Sequence, residues 1–141
     1  MRRFNLWVEW DEEETRHWLL PREGVVYSFV VENPETHAVT DMCSFYHLPS
    51  SIIGHAKYET LHAAYSFYNV ATSVKLESLV NDMLITAKNM DMDVFNALDL
   101  MENESFLTKL KFGIGDGTLN YYLYNWGCPE IPSDKIGLVL L

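Results

Sequence analysis

The chain has 141 residues, ten basic against twenty acidic, and a formal net charge of −10. That length fits one ordinary domain, a hydrophobic fraction of 48% sets disorder aside, and the acidic balance argues against nucleic acid and anionic membranes while suiting basic peptides. No apolar run approaches the ~20 residues that span a bilayer, and Cys43 and Cys128 lie in no metal or disulfide spacing, so a soluble cytoplasmic protein in a reducing compartment is expected.

In chain order, Asp11 to Glu14 precedes Thr15-Arg16-His17-Trp18-Leu19-Leu20 and Pro21. Acidic residues favour the positive end of a helix dipole and proline stops the helix, which predicts a helix over 11–19. The β-branched and aromatic run Val25 to Val31 predicts a strand, 32–37 is turn chemistry, and Val39 to Leu48 is the returning strand, closed by Pro49. Leu61 to Val70 is a third strand. Leu76, Leu79, Val80, Met83 and Ala87 follow the i, i+3, i+4, i+7, i+11 pattern and predict a helix over 74–90. A strand over 93–98, a short helix over 104–111, a tight loop over 113–117 and strands over 121–126 and 136–141 complete the chain. Hairpins before a crossover helix predict an α/β domain with a mixed, largely antiparallel sheet and packed helices.

Several chemical signals do not survive inspection. Asp41, Ser44 and His47 suggest a hydrolase triad, but on one strand Ser44 faces away from the other two. Cys43 and His47 share a face without a zinc-like partner pair, so no metal site is expected. Asn103-Glu104-Ser105 is a glycosylation triplet with nothing else to suggest secretion. The glycine-rich loop 113–117 lacks the strand before and helix after it that a dinucleotide site requires, and Asp116 would repel phosphate. An acetyl-CoA loop of N-acetyltransferases begins with Gln or Arg where this chain has Leu110. A turn offering backbone amides and one carboxylate to a cation fits better.

Lys111-Phe112-Gly113-Ile114-Gly115-Asp116-Gly117 resembles the K-F-G-x-G-D-G signature of the N-myristoyltransferase family, with all six defined positions present. Ser44-Phe45-Tyr46 with Leu48-Pro49-Ser50, Ala64 to Val70, Asp93 to Met101 and Gly137 to Leu141 are similar to the same family, so the resemblance runs from about Phe4 to Leu141. It implies an N-acetyltransferase-like α/β fold, residues 1–141 being the C-terminal half of a two-half enzyme. The N-terminal half, which holds myristoyl-CoA as acyl donor and carries E-I-N-F-L-C-x-H-K, has no counterpart here and becomes an expected partner. No cofactor is expected in this part.

The resemblance further implies that Tyr46, Ser50, Leu61 and Tyr65 line a groove for glycine-led peptides. Asp116, flanked by Gly115 and Gly117, would meet a downstream basic residue, and Leu119 would add apolar wall. It makes the main-chain carboxylate of Leu141 the catalytic base. The chemistry is consistent: a glycine amine has a pKa of about 7.7–8.0 and a chain-end carboxylate about 3.3–3.7, a gap near 6 kcal/mol in water, and burial in the apolar tail Leu138-Val139-Leu140-Leu141 shrinks it. Three readings follow: an acyltransferase part inactive without its other half, a non-catalytic peptide-binding module, and an acetyltransferase, which the Leu110 position disfavours. The first should expose apolar surface meant for its partner.

Overall fold

The computed structural model describes residues 3–140. A short strand, β1 (Leu6–Trp7), leads to helix α1 (Glu12–Leu19). Asp11 caps that helix: its carboxylate accepts the Glu14 N–H at 2.8 Å, and the Glu14 carboxylate accepts the Asp11 N–H at 3.0 Å. Two otherwise orphaned donors are thereby satisfied.

Strands β2 (Val26–Glu32), β3 (Val39–Ser51) and β4 (Thr60–Ser66) form the expected antiparallel run. Helix α2 (Leu76–Asn89) then crosses over to β5 (Val94–Asn96), which lies parallel to β4, giving a four-stranded sheet in the order β2-β3-β4-β5. Helix α3 is Glu104–Leu107, and β6 (Ile136–Gly137) pairs in parallel with β1.

The two faces of the sheet carry two cores. On one, Cys43, Phe45 and Ala64 pack against Leu79, Val80, Met83 and Ala87 of α2 and Phe106 of α3, which is the apolar stripe the helical spacing implied. The other holds Val26, Phe67 and Tyr68 with Phe4, Ile136 and Val139, and Trp10 and Trp18 pack on its margin. Alternation along β3 assigns successive side chains to opposite cores.

Asp41, only 2% exposed, ties the start of β3 to the segment that leads into α2. Its carboxylate accepts the N–H groups of Thr72 at 2.6 Å and Ser73 at 2.8 Å, and the Ser73 hydroxyl as well. Burial alone would raise its pKa. The bonds from the Ser73 and Thr40 hydroxyls and from the backbone of Ser73 and Thr72 outweigh burial and hold it well below the usual carboxylate range.

Several expectations are corrected. Pro49 does not close β3, which continues to Ser51 because Pro49, Ser50 and Ser51 still find partners in His62, Leu61 and Thr60. The third strand ends at Ser66, after which 67–70 follow β3 irregularly through bonds from Phe67 N–H to Ser44 C=O and between Met42 and Val70. The strand expected over 93–98 shortens to Val94–Asn96, where β4 offers partners.

The helix expected over 104–111 stops at Leu107, since Lys111 takes φ +61° and the N–H groups of Lys111 and Phe112 turn back to the carbonyls of Thr108 and Leu107, a left-handed closure of the last turn. Residues 121–126 form no strand: no described strand pairs with them, and propensity without a ladder partner does not make one. Of the strand expected over 136–141, only Ile136–Gly137 pairs, its partner β1 being equally short; Leu141 lies outside the described residues. Strand β1 itself went unanticipated.

Candidate functional site

The β3–β4 register makes one surface of four expected groove residues. Tyr46 lies opposite Tyr65 and Ser50 opposite Leu61, with Leu48 and Ala63 on the rung between. Even spacing along each strand puts all six on one face. The Tyr46 and Tyr65 rings stack at 5.1 Å and 10°, and Tyr46 meets Phe67 edge-on at 5.8 Å. Ser50 is exposed and Leu61 is 37% exposed, so this end of the ladder is open.

A second cluster of phenols adjoins the stacked pair. Burial raises the Tyr46 pKa, and the neighbouring phenols of Tyr65 and Tyr121 raise it further. Burial likewise raises Tyr68 and Tyr121, against opposing backbone contacts at Val139 and Leu140 respectively. These hydroxyls therefore remain protonated and able to donate through the neutral range. The Tyr121 hydroxyl donates to the Leu138 carbonyl at 2.9 Å, and the Tyr68 hydroxyl accepts the Val139 N–H at 3.0 Å. The apolar tail therefore runs beside the ladder.

The signature loop is anchored to the core by Phe112. Phe112 packs on Phe106 at 5.8 Å and Phe95 at 6.3 Å, and beyond it residues 113–120 are exposed. Asp116 pairs with no described residue. A Cβ added at Gly113, Gly115 or Gly117 would meet nothing within 4 Å, and none of the three has a left-handed φ. Neither packing within this chain nor backbone strain explains glycine there. Leu119 is half exposed, and Tyr122 and Tyr124 are 87% and 98% exposed. Among the described residues no hydrogen bond, ion pair or ring contact joins Asp116 or Leu119 to the tyrosine ladder.

The rejected signals resolve as structure. Ser44 exchanges two hydrogen bonds with the backbone of Tyr68, at 2.8 and 3.0 Å. His47 meets His62, Nε2 to Nδ1, at 3.1 Å, and Cys43 is buried. Asn103 is buried and donates its amide to the Leu98 carbonyl at 2.8 Å, which leaves no acceptor for a glycan. No group of three His, Cys, Asp or Glu residues able to hold a metal occurs among the described residues, and no described helix is long and apolar enough to cross a membrane. Sequence alone hides the part played by Tyr68: strand composition continues through Val70, whereas the ladder breaks at Ser66 and turns Phe67 and Tyr68 into the same core.

An acetyltransferase of Trypanosoma brucei, 12% identical, superposes with a TM-score of 0.56 over 79% of this chain and 75% of its own, so the architecture is acetyltransferase-like. The model of the C-terminal domain of myristoyl-CoA:protein N-myristoyltransferase matches residues 1–139, and the chain belongs to that family. Glycylpeptide N-tetradecanoyltransferase 1 of Arabidopsis thaliana is 58% identical over 139 residues, 98% of this chain and 32% of its own length. Glycylpeptide N-tetradecanoyltransferase 2 of Bos taurus is 56% identical over 140 residues, 99% of this chain and 28% of its own length. Saccharomyces cerevisiae N-myristoyltransferase with bound myristoyl-CoA superposes with a TM-score of 0.88 at 35% identity, over 99% of this chain and 42% of that one. The chain thus spans less than a third of those two curated relatives.

Proposed function

We propose that this chain is the peptide-gripping, base-bearing part of an enzyme that transfers a myristoyl group from myristoyl-CoA to the N-terminal glycine of proteins. The observation that carries the reading is the tyrosine ladder beside the apolar tail, in a chain 56–58% identical to proteins named for that activity. Tyr46, Ser50, Leu61 and Tyr65 are the groove wall. Asp116 takes a basic side chain of the peptide, and Leu119 adds apolar contact. The open space at Gly115 and Gly117 supports this, because close approach of a ligand backbone is a reason for glycine that the chain's own packing does not supply.

In the mechanism the glycine ammonium must first lose a proton, since it has no lone pair. The main-chain carboxylate of Leu141 accepts it. The amine then attacks the thioester carbonyl, its nitrogen forming the amide as the carbon–sulfur bond breaks and CoA leaves as the thiol. Donors for the oxyanion and the acyl-CoA site belong to the part of the longer family protein that this chain does not span, and the chain alone is inactive. The exposed aromatic run Tyr122, Tyr124 and Trp126 supports a covering partner segment.

The test is release of CoA thiol from myristoyl-CoA with a glycine-led, lysine-containing peptide. No release by this chain alone, and peptide-dependent release once the upstream half is supplied in trans, is the expected outcome. Release by this chain alone would overturn the division of labour.

A further inference from the structure

The backbone of Leu138 and Val139 is held by two phenols that lie outside the strands. The Tyr121 hydroxyl bonds the Leu138 carbonyl at 2.9 Å and the Tyr68 hydroxyl takes the Val139 N–H at 3.0 Å. Tyr68 is itself immobilised: Ser44 bonds both its N–H and its carbonyl, and its ring meets Trp10 edge-on at 5.0 Å. On the other side, β6 is paired to β1, and a methyl group at Gly137 would overlap the Phe4 ring. Leu138 and Val139 lie beyond β6 and gain no rung with β1, so the two phenols supply the polar partners that strand pairing does not. A base must come within hydrogen-bond reach of its proton, and an ångström of misplacement costs roughly a hundredfold in rate.

We propose that Tyr68 and Tyr121 are positioning residues whose hydroxyls clamp the backbone of Leu138 and Val139 and so aim the main-chain carboxylate of Leu141 at the acceptor amine. This rests on the reading of Leu141 as the base. Neither hydroxyl takes the proton, and neither touches the reacting atoms.

The experiment uses the complete enzyme in which this segment stands, with Tyr121→Phe and Tyr68→Phe made singly, each also in a variant with one residue appended after Leu141. Tyr121→Phe is expected to lower kcat roughly tenfold, with KM for peptide and for myristoyl-CoA within about twofold and thermal stability nearly unchanged. In the appended variant it should produce no further loss in residual turnover, because the base is already displaced. Tyr68→Phe should act in the same direction; if it unfolds the protein, Tyr121→Phe alone decides. Wild-type kcat in Tyr121→Phe, or a rise in KM in place of a fall in kcat, or equal proportional losses in both backgrounds, would overturn the clamp while leaving the base reading standing. Full turnover by the appended variant would overturn the base reading itself, and the clamp with it.

Discussion

Tyr46 and Tyr65 lie opposite each other across β3 and β4 with their rings 5.1 Å apart and nearly parallel. Stacked pairs of this kind contribute about 0.5–1.5 kcal/mol beyond their buried area. Tyr65→Phe keeps both rings and should leave stability and peptide kinetics near wild type. Tyr65→Leu removes the stack; it should destabilise the fold by about 1 kcal/mol and lower kcat/KM for the peptide roughly tenfold in the complete enzyme. Denaturant unfolding and steady-state kinetics on the pair of variants separate ring from hydroxyl.

Glycine at 115 and 117 is required by neither packing nor a left-handed φ. Gly115→Ala and Gly117→Ala should therefore leave stability unchanged or raise it by about 0.4–1 kcal/mol, through the unfolded chain. Both should weaken peptide binding in the complete enzyme. A marked fall in melting temperature would mean that the loop is packed in a way the open space denies.

Asp41 should make the stability of the fold depend on pH. Its folded pKa is depressed below the unfolded value of about 3.9. The stability it contributes is thus fully present above that unfolded value and is lost as pH falls toward the folded pKa. Asp41→Asn should melt at lower temperature than wild type near neutrality, and the difference should shrink as pH is taken from about 5 to about 2. A constant gap across that range would show that the carboxylate's charge is immaterial.

The two thiols should differ in reactivity. Burial, with the Asp82 carboxylate adding to it, pushes the Cys43 thiol up to about 11, and Cys43 is enclosed while Cys128 is exposed. The thiolate is the reactive form. A thiol reagent at neutral pH should modify Cys128 rapidly and Cys43 only after unfolding. Equal rates in the folded protein would contradict the core described around Cys43.

Where periodicity and local chemistry decide the structure, the sequence was readable. The stripe Leu76, Leu79, Val80, Met83, Ala87 and the acidic run Asp11 to Glu14 lie within or beside single elements, and α2 and α1 form as those patterns imply. The hairpin of β2 and β3 follows from its turn residues in the same way. Tyr121 to Trp126 has strand composition and no described partner strand, and a ladder depends on residues elsewhere in the chain. Pro49 has the composition of a stop, yet the register with β4 continues past it. The candidate site residues come from the resemblance of the motifs; the residues alone favour core packing for Tyr46, Leu61 and Tyr65. The clamp from Tyr68 and Tyr121 was not legible, because it joins side chains to backbone atoms remote in sequence.

The pairing of Leu6 with Ile136 sets an order of assembly. Sheet β2 to β5 and α2 bring together neighbours in sequence and carry modest loop-closure entropy, whereas β1 and β6 must find each other across almost the whole chain. Folding kinetics should accordingly show the four-stranded sheet and its helical core forming before Phe4 seats against Gly137. A chain caught between those stages would have its tyrosine ladder built and its tail still wandering, so the last contact to close is the one that seats the tail beside the ladder.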